Sequence, residues 1–247
     1  MIGLSNSMGS SSAATAIESY AVSTKSLALD GAGDYATFGE TTFAIYGSGS
    51  DLSISFWAKR TDNNDIAVVL GNSAAFATKR LNFGADGTTL EMEGDTNGQS
   101  ASGAVTADTN WHHYVVTIAG TDTSTQAVVA MYQDGAAIEV TNTNLGVSDV
   151  GFTINRIGAT TDPGGNTHEF KGLLYQVAIF TAILEPSEVA GIYNSGSPVP
   201  LQANIGNYYK SLNLAHLWRF ATTADTAGSL TLTYVGDAAA SSTIPTS

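Results

Sequence analysis

Between Ser26 and Phe220 apolar and polar residues alternate in short runs, each closed by a Gly or an Asp-Gly pair. In chain order the runs are Ser26-Leu-Ala-Leu-Asp-Gly, Asp34-Tyr-Ala-Thr-Phe-Gly, Asp51-Leu-Ser-Ile-Ser-Phe-Trp-Ala-Lys, Ala67-Val-Val-Leu-Gly, Trp111-His-His-Tyr-Val-Val-Thr-Ile, Val128-Val-Ala-Met-Tyr-Gln-Asp-Gly, Ile154-Asn-Arg-Ile-Gly and Phe170-Lys-Gly-Leu-Leu-Tyr-Gln-Val-Ala-Ile-Phe. A period of two with regularly spaced turn residues predicts an all-β protein, a two-sheet antiparallel β-sandwich.

Single elements follow from the same pattern. Leu52, Ile54, Phe56 and Ala58 share one strand face and are expected in the core, with Ser53, Ser55, Trp57 and Lys59 on the other face. Asp134-Gly135 lies between Val128–Gln133 and Ala136–Val140 and predicts a hairpin, because both residues tolerate the positive φ of a type I′ turn. One short helix is predicted near 186–195: Pro186 suits the first helical position, Glu188 the positive end of the dipole, and Val189, Ile192 and Tyr193 form an apolar stripe. Gly196 and Pro198 end it. Leu214–Phe220 reads as a further strand and Leu230–Val235 as a late edge strand.

Length and charge narrow the classes. A chain of 247 residues with 43% hydrophobic content can bury a full core, and sandwiches of this size are commonly one domain. The expected organisation is an arm over 1–24, a sandwich domain over 25–236 and a tail over 237–247. The arm is rich in Ser, Ala and Thr, with Ile17, Tyr20 and Val22 as apolar anchors, and is expected to be flexible unless neighbouring chains hold it. Cysteine is absent, which excludes disulfides and thiolate metal sites. Nine Lys and Arg against 22 Asp and Glu give a net charge of −13, which repels a phosphate backbone, so nucleic acid is not an expected partner. No apolar run reaches membrane-spanning length, and Met1-Ile-Gly-Leu-Ser-Asn-Ser-Met-Gly lacks the basic and apolar regions of an export signal.

Six motifs occur together in an order that resembles the laminin-G-like, concanavalin-A-like jelly roll of bacterial surface proteins and tailed-phage virion proteins. They are Ser26-Leu-Ala-Leu-Asp-Gly-Ala-Gly-Asp-Tyr-Ala, Leu52-Ser-Ile-Ser-Phe-Trp-Ala, Trp111-His-His-Tyr-Val-Val-Thr, Tyr132-Gln-Asp-Gly, Ile157-Gly and Phe170-Lys-Gly-Leu-Leu-Tyr-Gln-Val-Ala-Ile-Phe, followed by Ala182-Ile-Leu-Glu-Pro-Ser-Glu-Val. The family pattern has acidic residues just before the Val of the Phe-x-Gly strand. Here those places hold Tyr175 and Gln176, so a calcium site built on that strand is not implied.

Candidate chemistry is sparse. His112 and His113 are adjacent strand residues that point to opposite faces and cannot share one ion. His168 and His216 have no acidic or His partner at ligand spacing. Glu91, Glu93 and Asp95 alternate on one strand face at about 7 Å steps, a spacing not far from the roughly 5 Å that paired glycosidase carboxylates need. Laminarinase-type glycosidases on this sandwich carry Glu-x-Asp-x-x-Glu, whereas Glu91-Met-Glu-Gly-Asp has the wrong acid in the middle and a turn residue where the strand should continue. No catalytic residue, enzymatic activity or cofactor is therefore expected. A structural calcium is the one ion considered, with Asp30, Asp34 and Asp162 in Gly-rich loops as candidate ligands, although Asp is also an ordinary turn residue. Trp57, Tyr208 and Tyr209 are the candidate ligand or interface contacts, since sugar binding and protein interfaces both use aromatics beside polar groups.

The resemblance implies work outside cells, while the chain shows no export signal. Together these lead to the expectation of a phage virion structural protein on the capsid surface: a capsid decoration or head-associated protein, made in a host cytoplasm, adhering to the major capsid protein or other virion proteins. A homo-oligomer is expected, a trimer being the form that suits a shell symmetry axis. The alternative is a carbohydrate-binding, lectin-like module or a tail or fibre adhesin recognising a surface glycan.

Overall fold

A computed structural model describes residues 21–45, 49–61, 65–73, 79–94, 99–121, 125–146, 151–161 and 167–246. Its strands are β1 (Ser26–Asp30), β2 (Tyr35–Phe43), β3 (Asp51–Arg60), β4 (Ala67–Gly71), β5 (Arg80–Phe83), β6 (Thr89–Glu93), β7 (Ser100–Ala104), β8 (Trp111–Ala119), β9 (Val128–Gln133), β10 (Ala136–Ile138), β11 (Val140–Thr143), β12 (Phe152–Ile157), β13 (Ala159–Thr161), β14 (Thr167–Glu169), β15 (Lys171–Phe180), β16 (Leu214–Trp218), β17 (Thr233–Val235) and β18 (Ala239–Ser241), with one helix, α1 (Pro186–Tyr193). The expected two-sheet antiparallel sandwich is present. One sheet runs β10-β9-β8-β3-β15-β1-β18, with β16 also paired to β15; the other runs β11-β7-β6-β5-β4-β12-β2-β17. The hairpin β13–β14 stands apart from both.

The core lies between the sheets, where the alternation put it. Leu52, Ile54, Phe56 and Ala58 of β3 meet Leu81, Phe83, Leu90, Met92 and Ile154 from the facing sheet. Phe56 stacks on Tyr114 at 5.4 Å and meets the Phe83 ring edge-on at 6.3 Å. Each such fully buried side chain contributes about 1.5–3 kcal/mol.

The other face of the β3 sheet is also covered, which alternation does not announce. Val189 and Ile192 of α1, then Val199, Leu201, Tyr208 and Leu217, pack on Val115, Tyr132, Ala178 and Phe180 as a second apolar cluster. Ser53, Ser55 and Trp57 are buried beneath this layer rather than solvated. The helix begins with a capping box between Glu185 and Glu188, has Pro186 in its first turn, and ends at Asn194 in the left-handed conformation. It therefore stops short of Gly196, and a 3-10 turn covers Asn194–Gly196. Tyr193 of the predicted stripe is half-buried against Trp57, 5.8 Å ring to ring.

The predicted hairpin forms with Asp134 at φ 52° and Gly135 at φ 78°, as a type I′ turn requires. Its second strand is shorter than expected. β10 ends at Ile138, and β11 pairs with β7 in the opposite sheet. The late edge strand spans Thr233–Val235 only and borders β2. Residues 237–247, expected as a tail, instead carry β18, which pairs with β1 while Ser26 Oγ donates to Thr243 O at 2.7 Å. Of the expected arm, residues 1–20 lie outside the described residues, and Ser23 is buried where its carbonyl accepts the Tyr175 hydroxyl at 2.9 Å.

Candidate functional site

The inward residues of β5, β6 and β7 are Leu81, Phe83, Leu90, Met92 and Ala101, so the alternate residues face outward. Cross-strand register assembles these into two polar rows. Arg80 stands opposite Glu93, Glu93 opposite Ser100, and Ser100 opposite Thr143; Asn82 stands opposite Glu91, Glu91 opposite Ser102, and Ser102 opposite Thr141. Neighbouring strands lie about 4.8 Å apart, so each row spans roughly 14 Å, about the length of a short oligosaccharide.

The rows are internally braced at the β5–β6 end. Arg80 Nη2 donates to Glu93 Oε1 at 2.9 Å, Asn82 Nδ2 to Glu91 Oε2 at 3.1 Å, and Thr89 Oγ1 to Glu91 Oε1 at 2.9 Å. Burial pushes the Glu93 carboxyl above its ordinary value, and Arg80 opposes the shift without cancelling it. Two polar atoms stay unmatched. Asn82 is 0% exposed, yet its Oδ1 finds no partner among the described residues, nor does the buried Nε of Arg80. A buried polar atom without a partner costs about 1–3 kcal/mol. At the far end Thr141 and Thr143 are exposed, which leaves the face open to solvent there.

Of the carboxylates predicted to share a strand face, Glu91 and Glu93 do so, and Asp95 lies outside the described residues. Both oxygens of Glu91 already accept hydrogen bonds, and Glu93 is tied to Arg80. Arg80, Asn82, Ser100 and Ser102 carry no motif. Their signal is the alternation of Arg80-Leu-Asn-Phe and Ser100-Ala-Ser-Gly, which needs the register of four strands before it becomes a surface.

The three aromatic candidates separate. Trp57 is 3% exposed, wedged beside His113 at 4.9 Å and Tyr193, and Tyr208 is 0% exposed with its hydroxyl donating to Leu201 O at 2.7 Å. Neither presents a surface to a ligand, because the layer on the β3 sheet encloses both. Tyr209 is 64% exposed.

His112, His113 and His216 make structural contacts. His112 and His113 do face opposite ways: His113 lies with Ser55 Oγ at 2.9 Å, and burial, opposed by Asp134, lowers its pKa to about 3, so it is neutral. His112 bridges two elements, with Nδ1 2.6 Å from Asp134 Oδ2 in the hairpin turn and Nε2 3.0 Å from Asp108 Oδ1 in the β7–β8 loop. Only the imidazolium can donate at both nitrogens. Its pKa is raised, first by the Asp134 hydrogen bond and further by the Asp134 and Asp108 charges, against the opposing effect of burial. A raised folded-state pKa means that this bridge stabilises fully below the ordinary His value of 6.5 and is lost as pH climbs through the folded value. Urea titrations from pH 5.5 to 9 should therefore show a stability decrement of about 1–2 kcal/mol on the alkaline side that His112→Asn lacks; parallel curves for the two proteins would contradict the bridge.

His216, expected to lack an acidic partner at ligand spacing, has Nδ1 2.6 Å from Asp225 Oδ2 across a turn. The carboxylates considered for calcium are spent on backbone. Asp30 Oδ1 accepts Ala32 N, and Asp34 accepts Asp30 N and Asp237 N. Asp162 lies outside the described residues, and among those described no three His, Asp or Glu side chains gather at metal-binding spacing.

The family profile of the concanavalin A-like lectin/glucanases superfamily matches residues 30–190. A candidate carbohydrate-binding protein from Bacteroides ovatus superposes with a TM-score of 0.61 at 16% identity, over 92% of this chain and 62% of its own. The chain thus spans less than two thirds of that protein. The CBM40 of the Ruminococcus gnavus IT-sialidase, solved with α2,3-sialyllactose, gives 0.46 at 12% identity over 69% of this chain and 99% of its own. The SAP-like pentraxin of Limulus polyphemus gives 0.45 at 16% identity, over 70% and 84%. No curated protein matches the sequence.

Proposed function

The chain belongs to the concanavalin A-like lectin/glucanases superfamily, and on that footing we propose that it is a glycan-binding module without catalytic activity, whose ligand lies along the two polar rows of β5, β6, β7 and β11. The observation that carries this reading is the cross-strand register that sets the outward Ser100, Ser102, Thr141 and Thr143 in line with Glu91 and Glu93, whose carboxylates are braced by Asn82, Thr89 and Arg80. A sugar hydroxyl donates and accepts at once, so it pairs with carboxylate oxygens and with Ser and Thr hydroxyls alike, where an apolar ligand pairs with none of them. Two carboxylates against one guanidinium disfavour anionic sugars, and the ligand class is a neutral glycan. The engaged oxygens of Glu91 and the tie of Glu93 to Arg80 fit a fixed hydrogen-bonding surface better than an acid and nucleophile pair.

The likeness to a candidate carbohydrate-binding protein supports the same reading. It reverses the order expected from sequence. Shell decoration rested on the family resemblance together with the missing export signal, and a virion becomes one setting in which such a module would be displayed. No helix among the described residues is long and apolar enough to cross a membrane.

The test is a screen of neutral polysaccharides by calorimetry, with hydrolysis followed in parallel. Asn82→Ala, which releases Glu91 Oε2 from its brace, should weaken binding at least about tenfold. Thr141→Trp, on an exposed position that does not endanger folding, should obstruct the rows to a similar degree. Binding indifferent to both changes, or sugar release by the wild-type protein, would overturn the proposal.

A further inference from the structure

From Val189 to Ala224 the chain has no Asp or Glu, although 22 are spread over its 247 residues. Lys210 and Arg219 are the Lys and Arg residues of that stretch. It supplies most of the outer layer on the β3 sheet. On the solvent side of this layer the segment 204–213 exposes Ile205 at 44%, Tyr209 at 64% and Leu212 at 96%. Among the described residues Val128 is the other large apolar side chain so exposed.

The segment is held rigidly. Ile205 and Tyr208 exchange backbone hydrogen bonds at 3.1 and 2.9 Å. Asn204 Oδ1 accepts Ser211 N at 3.2 Å and Ser211 Oγ at 2.7 Å, which closes the loop on itself. Tyr209 N donates to Glu188 Oε1 at 3.0 Å, and the other oxygen of Glu188 accepts Glu185 N. Glu188 is 3% exposed, so the carboxylate nearest the loop is turned inward. A recess of about 360 Å³ between α1 and the 205–207 turn adjoins the loop, lined in part by Ala190, Gly191, Val199 and Ile205, large enough to receive an apolar side chain. A stiff loop that exposes apolar side chains loses little conformational entropy when they are covered.

We infer that this loop is the contact surface for a second copy of the chain, apposed about a two-fold axis. Charge selects the occupant. In an isologous contact a patch faces itself, so a carboxylate near the axis confronts its own copy. A chain of net charge −13 repels its own copies over most of its surface. The acid-free stretch 189–224 is where two copies meet without that opposition, and it is also where the apolar side chains stand out. This contact lies on the outside of the β3 sheet and leaves the polar rows of the opposite sheet open, so it stands or falls independently of glycan binding.

Sedimentation velocity of the full chain between about 1 and 100 μM reads the outcome, since a modest interface of this kind is expected to hold with micromolar affinity. The wild type should convert from monomer to dimer across that range. Leu212→Glu should stay monomeric throughout and melt within about 2 °C of wild type, because a surface side chain so fully exposed contributes little to the fold. Tyr209→Ala should raise the dissociation constant at least about tenfold. A wild-type monomer at about 100 μM, a trimer, or a dimer indifferent to both substitutions overturns the inference.

Discussion

Asp225→Ala is expected to lower stability by about 3–5 kcal/mol and the melting temperature by roughly 10 °C. The Asp225 side chain is fully buried and accepts five hydrogen bonds: Oδ1 from Leu217 N at 2.9 Å, Ala227 N at 3.1 Å and Gly228 N at 2.8 Å, and Oδ2 from His216 Nδ1 at 2.6 Å and Leu230 N at 3.1 Å. Removing the carboxylate strands all five donors, and water entering the space would restore only part of the loss. The damage reaches the core directly, because His216 stacks on Trp218 at 5.6 Å and Trp218 Nε1 donates to Leu230 O. Burial alone would raise the Asp225 pKa; the hydrogen bonds from His216, Leu217, Gly228 and Leu230 outweigh it and hold the group at about 2. With the folded value below the ordinary 3.8, the stabilisation is present above about pH 4 and is lost as pH falls toward 2. The stability gap between wild type and variant should accordingly narrow on acidification. Thermal melts at pH 7, 4 and 2.5 measure it, and a gap that does not change with pH would show that the charge plays no part.

How far the sequence carries depends on which neighbour decides an element. The inner half of the sandwich is readable because it follows from local alternation alone: Leu52, Ile54, Phe56 and Ala58 needed only the strand period to be assigned to the core. The same period puts Ser53, Ser55 and Trp57 on the other face, and nothing local shows that a segment more than a hundred residues later folds over them. Tyr208 belongs to that covering segment and is buried by its packing on Phe180 of the sheet. Residues 237–247 look like a tail because Ala239–Ser241 is small and short, and only pairing with β1 makes a strand of it.

Tyr175 and Gln176 show how a departure from a family pattern acquires a physical meaning. Where acids are usual, Tyr175 binds Ser23 O through its hydroxyl, and Gln176 sits in a bulge at φ 46° with Nε2 donating to Val199 O at 3.1 Å. Both side chains tether segments that cover the sheet. The polar rows are legible only in part. Glu91 and Glu93 are visible as an alternating pair, but their partners come from β5, β7 and β11, and no local rule pairs Arg80 with Glu93 or Asn82 with Glu91 before the register is known.

Gly172→Ala should be the most damaging single methyl that can be added to the Phe-x-Gly motif. A Cβ at Gly172 would lie 2.1 Å from Lys59 O and 3.0 Å from Arg60 Cα, and its φ of +142° is one that L side chains rarely adopt. Neither contact can relax without displacing β3 from β15, since Gly172 pairs with Arg60 in the middle of the sheet. The cost is expected at about 3–5 kcal/mol, or roughly 10 °C in melting temperature. Gly33→Ala is the internal control. Gly33 also has a positive φ, +89°, but nothing lies within 4 Å of its added Cβ, so backbone strain of about 1 kcal/mol is all that it should lose. Equal losses at the two sites would mean that backbone conformation, and not the close approach of β3, is what the motif protects. The consequence extends to the polar face. Arg60 lies over the Phe83 ring at 4.2 Å and donates to Gly87 O at 2.8 Å and Thr106 O at 3.2 Å, holding the turn after β5 and the loop after β7. Shifting Arg60 moves the ends of the strands that carry Asn82, Glu91 and Ser102, so Gly172→Ala should weaken glycan binding in the fraction that still folds, whereas Gly33→Ala should leave it intact.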